Sequence, residues 1–257
     1  MKASFLWAAA LVCLTGPLTA QPIEEGPLVT DRPDFTESAD TIAPGRVQLE
    51  TGYTFTDEER DTETHAWGEV LVRIGLSRSV ELRLGLNSYL QTSRPGEDLS
   101  GLEDSSVGVK IKLRDSRTGS ARPQVALILG AALPTGSSEY RASHAQPGSA
   151  LALAWGLSPR LGLGANVNYA YLSEEGEQFG ELAGSLALGY ALSHRVGGYI
   201  EYFGFNPQSR GGPDTHFLNG GFTWLLSSNA QLDARAGIGL NSAAADYFVG
   251  VGAAWRW

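Results

Sequence analysis

The stretch that decides the fold is YFVGVGAAWRW, from Tyr247 to Trp257 at the end of the sequence. Its residues alternate between an apolar face and a face of mostly small residues, which is the period-two pattern of a β-strand. The apolar face carries Tyr247, Val249, Val251, Ala253, Trp255 and Trp257. Such a strand needs a hydrogen-bonded neighbour and an apolar medium outside it. A transmembrane β-barrel supplies both, because its last strand closes against its first.

The same alternation recurs along the chain, with one apolar face and one small or charged face in each segment. Gly, at 32 residues, suits strands and turns better than helices. The sequence therefore predicts an all-β fold, a single antiparallel transmembrane β-barrel of about 12 strands. The predicted strands cover residues 46–56, 65–76, 80–91, 104–114, 123–133, 149–157, 161–172, 180–192, 196–205, 216–226, 230–240 and 247–257. The alternation places Leu84, Ile111 and Leu186 on the outside, and Leu90 with them.

The connections between these segments alternate in length. Short turns fall at residues 77–79, 158–160, 193–195 and 227–229, and longer polar loops at 57–64, 92–102, 134–147, 173–178 and 206–214. Residues 115–121 are long for the short side, and 241–246 are compact for the long side. Tight turns at one end and loops at the other are typical of outer-membrane barrels.

Aromatic residues on the apolar faces form two predicted girdles. The girdle at the short-turn end comprises Trp155, Tyr190, Trp224 and Trp257, and the girdle at the long-loop end comprises Tyr53, Phe55, Tyr169, Tyr171 and Tyr247. The alternative is a soluble β-protein with aromatic residues scattered through its core. The girdles favour the barrel, because Trp and Tyr prefer membrane interfaces.

The first residues predict export. Lys2, an apolar run at residues 5–14 and a small-residue site after Ala20 fit a cleaved signal peptide. Cys13 raises the alternative of a lipidated start, which its position inside the apolar run disfavours. We expect three parts: a signal peptide at 1–20, a periplasmic or lumenal N-terminal segment at 21–44, and an outer-membrane barrel at 45–257. Cleavage would leave 18 basic and 28 acidic residues and no Cys, which argues against nucleic acid as a partner and against disulfides.

The segment before the first strand reads VTDRPDFTESADTIAPGRVQLETGYTF, residues 29–55. Its motif comprises Asp31, Arg32, Pro33, Asp34, Phe35 and Glu37. This motif, together with GLSRSVELRLGL from Gly75, resembles the bacterial outer-membrane transporters of the phenol-degradation meta-pathway family. The resemblance implies a barrel in the outer membrane of a Gram-negative bacterium that passes a small hydrophobic or aromatic solute. It carries over no site residues.

A charged segment that contains Pro33 is not a lipid-facing strand. Two placements remain open: a plug or gate in the barrel that pairs with lumenal charges, and a periplasmic strap that closes the base. The charges predicted to line the pore are Glu69, Arg73, Glu81, Arg83, Lys110, Lys112, Glu201, Asp233 and Arg235. They would form either a salt-bridge network or a water-filled channel. The inward faces of strands 123–133, 149–157 and 161–170 are small, which leaves room for a solute or for the N-terminal segment.

The terminal residues Tyr247, Val249, Val251, Trp255 and Trp257 also resemble the signal that the barrel assembly machinery reads. We expect that machinery, outer-membrane lipids and a small solute as partners. The sequence predicts no enzyme, cofactor or metal site, since its four His residues have no triad or ligand spacing. A closed structural barrel and, more remotely, an outer-membrane lipid hydrolase are the alternatives.

Overall fold

A computed structural model describes residues 26–58, 61–174 and 176–257, so the predicted signal peptide lies outside the described residues. These residues form fourteen strands. The strands are β1 (Val47–Glu58), β2 (Thr62–Gly75), β3 (Val80–Leu86), β4 (Tyr89–Arg94), β5 (Glu97–Leu102), β6 (Ser105–Arg114), β7 (Gln124–Leu133), β8 (Gln146–Gly156), β9 (Leu161–Glu174), β10 (Glu177–Ala191), β11 (Val196–Asn206), β12 (Thr215–Ser227), β13 (Ala230–Gly239) and β14 (Tyr247–Arg256). Nowhere in these ranges is a helix long and apolar enough to cross a membrane.

The strands form one antiparallel sheet that closes on itself. β14 pairs with both β13 and β1, and β1 pairs with β2, so neither terminal strand is an edge. β3 and β4 pair with successive parts of β2, and β6 and β5 pair with them in turn. β3 and β4 therefore form one crossing of the barrel with a break in the middle, and β5 and β6 form the next. The barrel has 12 crossings, which confirms the predicted fold class.

One predicted loop is a hairpin. Residues 92–102 were expected to form a polar connection, but β4 and β5 pair there from Tyr89↔Leu102 to Arg94↔Glu97. Gly96 supplies the positive φ of 85° at the turn, a conformation that Gly adopts readily. The polar composition of this hairpin conceals it in the sequence, because its two short strands lack the continuous apolar face of the other crossings.

The strand faces point as the alternation predicts. On β10, Leu186 is 50% exposed, whereas its neighbours Ser185 and Ala187 are buried. Arg83 and Lys110 point inward and are buried, as is Asp233 on β13. The exterior is therefore apolar and the interior polar, which is the reverse of a soluble protein and the arrangement of a barrel in a membrane.

Leu90 is an exception, because the prediction placed it outside. Its neighbour Tyr89 is the outward residue, 40% exposed, and pairs with the outward Trp67. Leu90 lies on β4, and the chain leaves the sheet for residues 87 and 88 between β3 and β4. The outward residues on either side of this break, Leu86 and Tyr89, are three positions apart, so the alternation is reversed from that point on.

The exterior phase predicts a stability difference at Leu186. Replacing Leu186 with Lys places a cation in the lipid-facing band, which costs about 2–4 kcal/mol near the bilayer midplane. We expect the free energy of unfolding in lipid to fall by that order for Leu186→Lys, measured by urea titration. Leu186→Ala is the matched control, because it removes the side chain without adding charge. Equal losses for both variants would contradict a lipid-facing position.

The terminal strand allows a test of the predicted assembly signal. Trp257 and Trp224 are equally exposed, at 55% and 54%, and both lie at the short-turn end. If the terminal residue is read during assembly, Trp257→Asp lowers the yield of heat-modifiable barrel in outer membranes more than Trp224→Asp does. Equal yields from the two variants would leave only a general need for aromatic residues at the interface.

Candidate functional site

The N-terminal segment, defined here as residues 26–46, lies inside the barrel. It starts at the short-turn end, where the Leu28 amide donates to the Ser228 carbonyl at 2.9 Å. It returns to the same end, where the Gly45 amide donates to the Gly75 carbonyl at 2.9 Å. Between these points it forms a loop whose tip, residues 33–36, reaches β11. Of the two placements that the sequence left open, the described residues adopt the lumenal one.

One carboxylate, that of Asp31, holds the base of the segment to the wall. Asp31 Oδ2 lies 3.3 Å from Arg73, 2.5 Å from Arg83 and 2.9 Å from Lys110. The side chains of Arg73 and Lys110 are fully buried. Burial alone would raise the pKa of the Asp31 carboxyl, but these three cations hold that pKa well below its usual range.

Two wall carboxylates complete this cluster by accepting hydrogen bonds from the segment. Glu50 accepts from the backbone amide of Asp31 at 3.0 Å, and Glu81 accepts from that of Ile42 at 2.8 Å. Arg73 bridges the two, 3.1 Å from Glu50 and 2.9 Å from Glu81. The buried charges are thus paired with each other and with the segment, as burial of charge requires.

Arg32 extends across the seam where the barrel closes. Its guanidinium lies over Gly52 on β1 and Gly252 on β14, which face each other across the seam. A Cβ atom at Gly52 would lie 2.3 Å from that guanidinium, and one at Gly252 would lie 2.4 Å from it. Arg32 also pairs with Glu69 at 2.5 Å and with Asp233 at 3.4 Å.

The tip of the segment is held by Glu201, which is 1% exposed. Glu201 accepts from the backbone amides of Phe35 at 2.9 Å and Thr36 at 2.6 Å. The Asn219 side chain donates to the same carboxylate at 2.7 Å. The Thr36 hydroxyl lies 2.6 Å from Glu201 Oε1 and 2.7 Å from the Ser185 hydroxyl. These donors are neutral, in contrast to the cations around Asp31.

Asp34, next to the residues that hydrogen-bond to Glu201, is half-buried. Burial raises the pKa of the Asp34 carboxyl well above its usual range, and the nearby Glu201 carboxylate raises it further. The ionised form of Asp34 is therefore disfavoured where the tip now lies.

A cavity of about 840 Å³ lies above the tip, towards the long loops. Phenylalanine rings form much of its wall: Phe35, Phe203, Phe205, Phe217 and Phe248. Phe203 stacks on Phe217 with ring centroids 4.8 Å apart. Polar groups, among them Thr54, Asn219 and Arg235, complete the lining. We call this space the upper cavity.

A second cavity, of about 480 Å³, lies below the tip. Residues from the short-turn end of the barrel line it, including Thr118 and Gly156. Asp34 and Thr36 of the tip line it as well, as does Tyr199 of the wall. We call this space the lower cavity. The tip and its contacts with β11 and β12 therefore form the layer between the two cavities.

The predicted small-residue face of β7 and β8 is filled by the N-terminal segment. Ala39 packs against Ala126 and Ala152, and all three residues are at most 1% exposed. Side chains of this size allow the segment to lie flat against the wall. A third cavity, of about 430 Å³, remains beside Arg83 and Glu37.

The nine charges predicted to line a pore occupy different surroundings. Arg73, Glu81, Lys110 and Glu201 are almost fully covered by the segment. Lys112 lies near the short-turn end, 3.5 Å from Asp40. The residues that face a cavity are Arg83, beside the third cavity, and Arg235, in the upper one. A pore-lining role for the set stays a prediction.

Of the phenylalanine rings of the upper cavity, Phe35 belongs to the predicted N-terminal motif, whereas the rings on the barrel wall were not predicted as site residues. Phe203, Phe217 and Phe248 all lie on inward faces, which otherwise carry small or polar residues. Large apolar residues out of phase with the outward pattern are the signal in the sequence that would have identified them.

Solved structures with the same architecture are outer-membrane barrels. The NanC porin has a TM-score of 0.55 at 9% identity, covering 81% of this chain and 98% of its own. The translocator domain of the autotransporter NalP from Neisseria meningitidis has a TM-score of 0.55 at 13% identity, covering 85% and 91%. The KdgM porin has a TM-score of 0.53 at 10% identity, covering 81% and 98%. At these identities the similarity establishes the fold alone.

The sequence matches no curated protein. A family model does match, over residues 30–257, which include most of the N-terminal segment and the whole barrel. The match begins next to Asp31, so the family model covers the part of the segment that contacts the inner wall of the barrel. The chain belongs to the outer-membrane barrel family described as "Putative MetA-pathway of phenol degradation".

Proposed function

We propose that this outer-membrane barrel passes a small hydrophobic or aromatic solute across the membrane. The observation that carries the proposal is the pair of cavities that approach each other from opposite ends of the lumen. The tip of the N-terminal segment, which Glu201 holds, lies between them. A path through the barrel therefore needs a local rearrangement and not the loss of the buried charge cluster.

The lining of the upper cavity supports an aromatic solute. Rings in a cavity wall bind another ring by stacking and edge contacts, worth about 0.5–1.5 kcal/mol per pair beyond the buried area. Asn219, Thr54 and Arg235 offer hydrogen bonds to a polar substituent on that ring. The mixture suits a monoaromatic compound with one polar group. We assign no catalytic step to the barrel.

Flux through the purified protein in liposomes tests the proposal. Phenylglycine and cyclohexylglycine are zwitterions of similar size that cross lipid slowly and differ in the aromaticity of the ring. We expect the protein to admit both and to favour phenylglycine by about two- to tenfold, the range that one ring contact supplies. Flux no greater than in protein-free liposomes would instead indicate a closed structural barrel.

A pair of variants on β12 locates the selectivity. Phe217 is 5% exposed inside the barrel, whereas Phe222 is 61% exposed on its outer face. We expect Phe217→Ser to bring the ratio of the two fluxes close to one and Phe222→Ser to leave it unchanged. An unchanged ratio in Phe217→Ser would remove the upper cavity as the source of aromatic preference.

A further inference from the structure

We propose that the face of Phe203 at the edge of the upper cavity is a binding site for one aromatic ring, that the ring of Phe35 occupies this site as a built-in ligand, and that an entering solute displaces it. The proposal rests on the proposed function and names the gate of that path. Displacement of Phe35 would move the tip of the N-terminal segment and join the upper cavity to the lower one.

The contacts of Phe35 are those of a bound ring. Its ring stacks on Phe203 with centroids 4.8 Å apart and planes at 18°, and it meets the edge of Phe205 at 5.2 Å and 74°. Phe203 in turn stacks on Phe217, so Phe35 is the outermost ring of a stack of three. A solute ring in the same place would recover these ring contacts, so the stacking that Phe35 gives up is replaced by stacking of the same kind.

The attachment of the segment differs between its base and its tip. Ion pairs with Arg73, Arg83 and Lys110 hold Asp31, whereas neutral donors connect the tip to Glu201. Withdrawal of the tip breaks hydrogen bonds to one carboxylate, that of Glu201, and the bond from Arg235 to the Pro33 carbonyl. Withdrawal of Asp31 would instead take the shared partner away from three buried cations, which is the costlier change. Asp34 adds a carboxyl whose charged form burial disfavours there. The tip is therefore the part of the segment that moves while the base stays in place.

Movement of the tip has a direct effect on the lumen. Phe35 lines the upper cavity, whereas its neighbours Asp34 and Thr36 line the lower one. These three residues thus lie between the two cavities. When they move away from Glu201, the N-terminal segment no longer blocks the way from one cavity to the other. A solute that replaces the Phe35 ring would therefore open the path from the upper cavity to the lower one.

A reversible lock tests whether the tip must move. The hydroxyls of Thr36 and Ser185 lie 2.7 Å apart, so the double variant Thr36→Cys with Ser185→Cys places two thiols within reach of a disulfide. Cys13 is the only natural Cys and lies in the predicted signal peptide, so no other thiol should compete. We expect oxidation to lower phenylglycine flux at least tenfold and reductant to restore it. Each single variant, treated identically, is the control.

The outcomes of this experiment separate the gate from the channel. Equal flux through the oxidised and reduced double variant would overturn the gate and leave the proposed function standing. Absence of flux through the natural protein would overturn the proposed function. Displacement of Phe35 would then be tested by solute binding alone.

Binding in detergent, measured by calorimetry with phenylglycine, supplies that independent result. If Phe35 competes with the solute, Phe35→Ala tightens binding about threefold or more. Phe205→Ala is the matched control, because Phe205 belongs to the wall, and we expect that variant to bind more weakly. Both variants retain the charge cluster, and heat modifiability reports their folding.

Whether Phe35→Ala tightens or weakens phenylglycine binding decides the proposal. Weaker binding in both variants would make Phe35 one more wall residue and would overturn displacement. Absence of phenylglycine binding in the natural protein and in Phe35→Ala would overturn the ring site itself.

Discussion

Inside the barrel, the carboxylate of Asp31 meets cations from three strands: Arg73 on β2, Arg83 on β3 and Lys110 on β6. Without this carboxylate the three buried cations would have only the two wall carboxylates Glu50 and Glu81 in the cluster to balance them, and without the cations a buried carboxylate would be costly. Wall and segment therefore need each other. The position of the loop, the filling of the small-residue face and the location of the cavities all follow from this one set of charges.

The charge cluster and the phenylalanine rings lie on different sides of the lumen. The charge cluster and the contact of Ala39 with Ala126 and Ala152 occupy the side formed by β1–β3 and β6–β8. The phenylalanine rings gather on the opposite side, on β11, β12 and β14. The segment is thus attached by ion pairs with three cations on one side and mainly by hydrogen bonds to a single carboxylate, Glu201, on the other. A protein that must remain folded while it admits a solute benefits from this separation.

The parts of the fold that were predictable follow from local rules. Period-two alternation gave the number of crossings and the orientation of side chains such as Leu186 and Lys110, and turn lengths distinguished the two ends. Leu90 was misplaced because the two-residue break between β3 and β4 has no clear signature in sequence. The pairing of Asp31 with Lys110, 79 positions apart, depends on closure of the whole sheet. For the same reason the sequence did not indicate that Phe35 would meet Phe203.

Arg32 joins the interior of the barrel to its closure. The two glycines beneath its guanidinium, Gly52 and Gly252, belong to the first and last strands, and they face each other only once those strands have paired. A sheet that has not closed therefore lacks the two-glycine surface on which this side chain lies. The N-terminal segment can therefore reach its final position only after β1 and β14 have paired, so its position in the lumen marks a closed barrel.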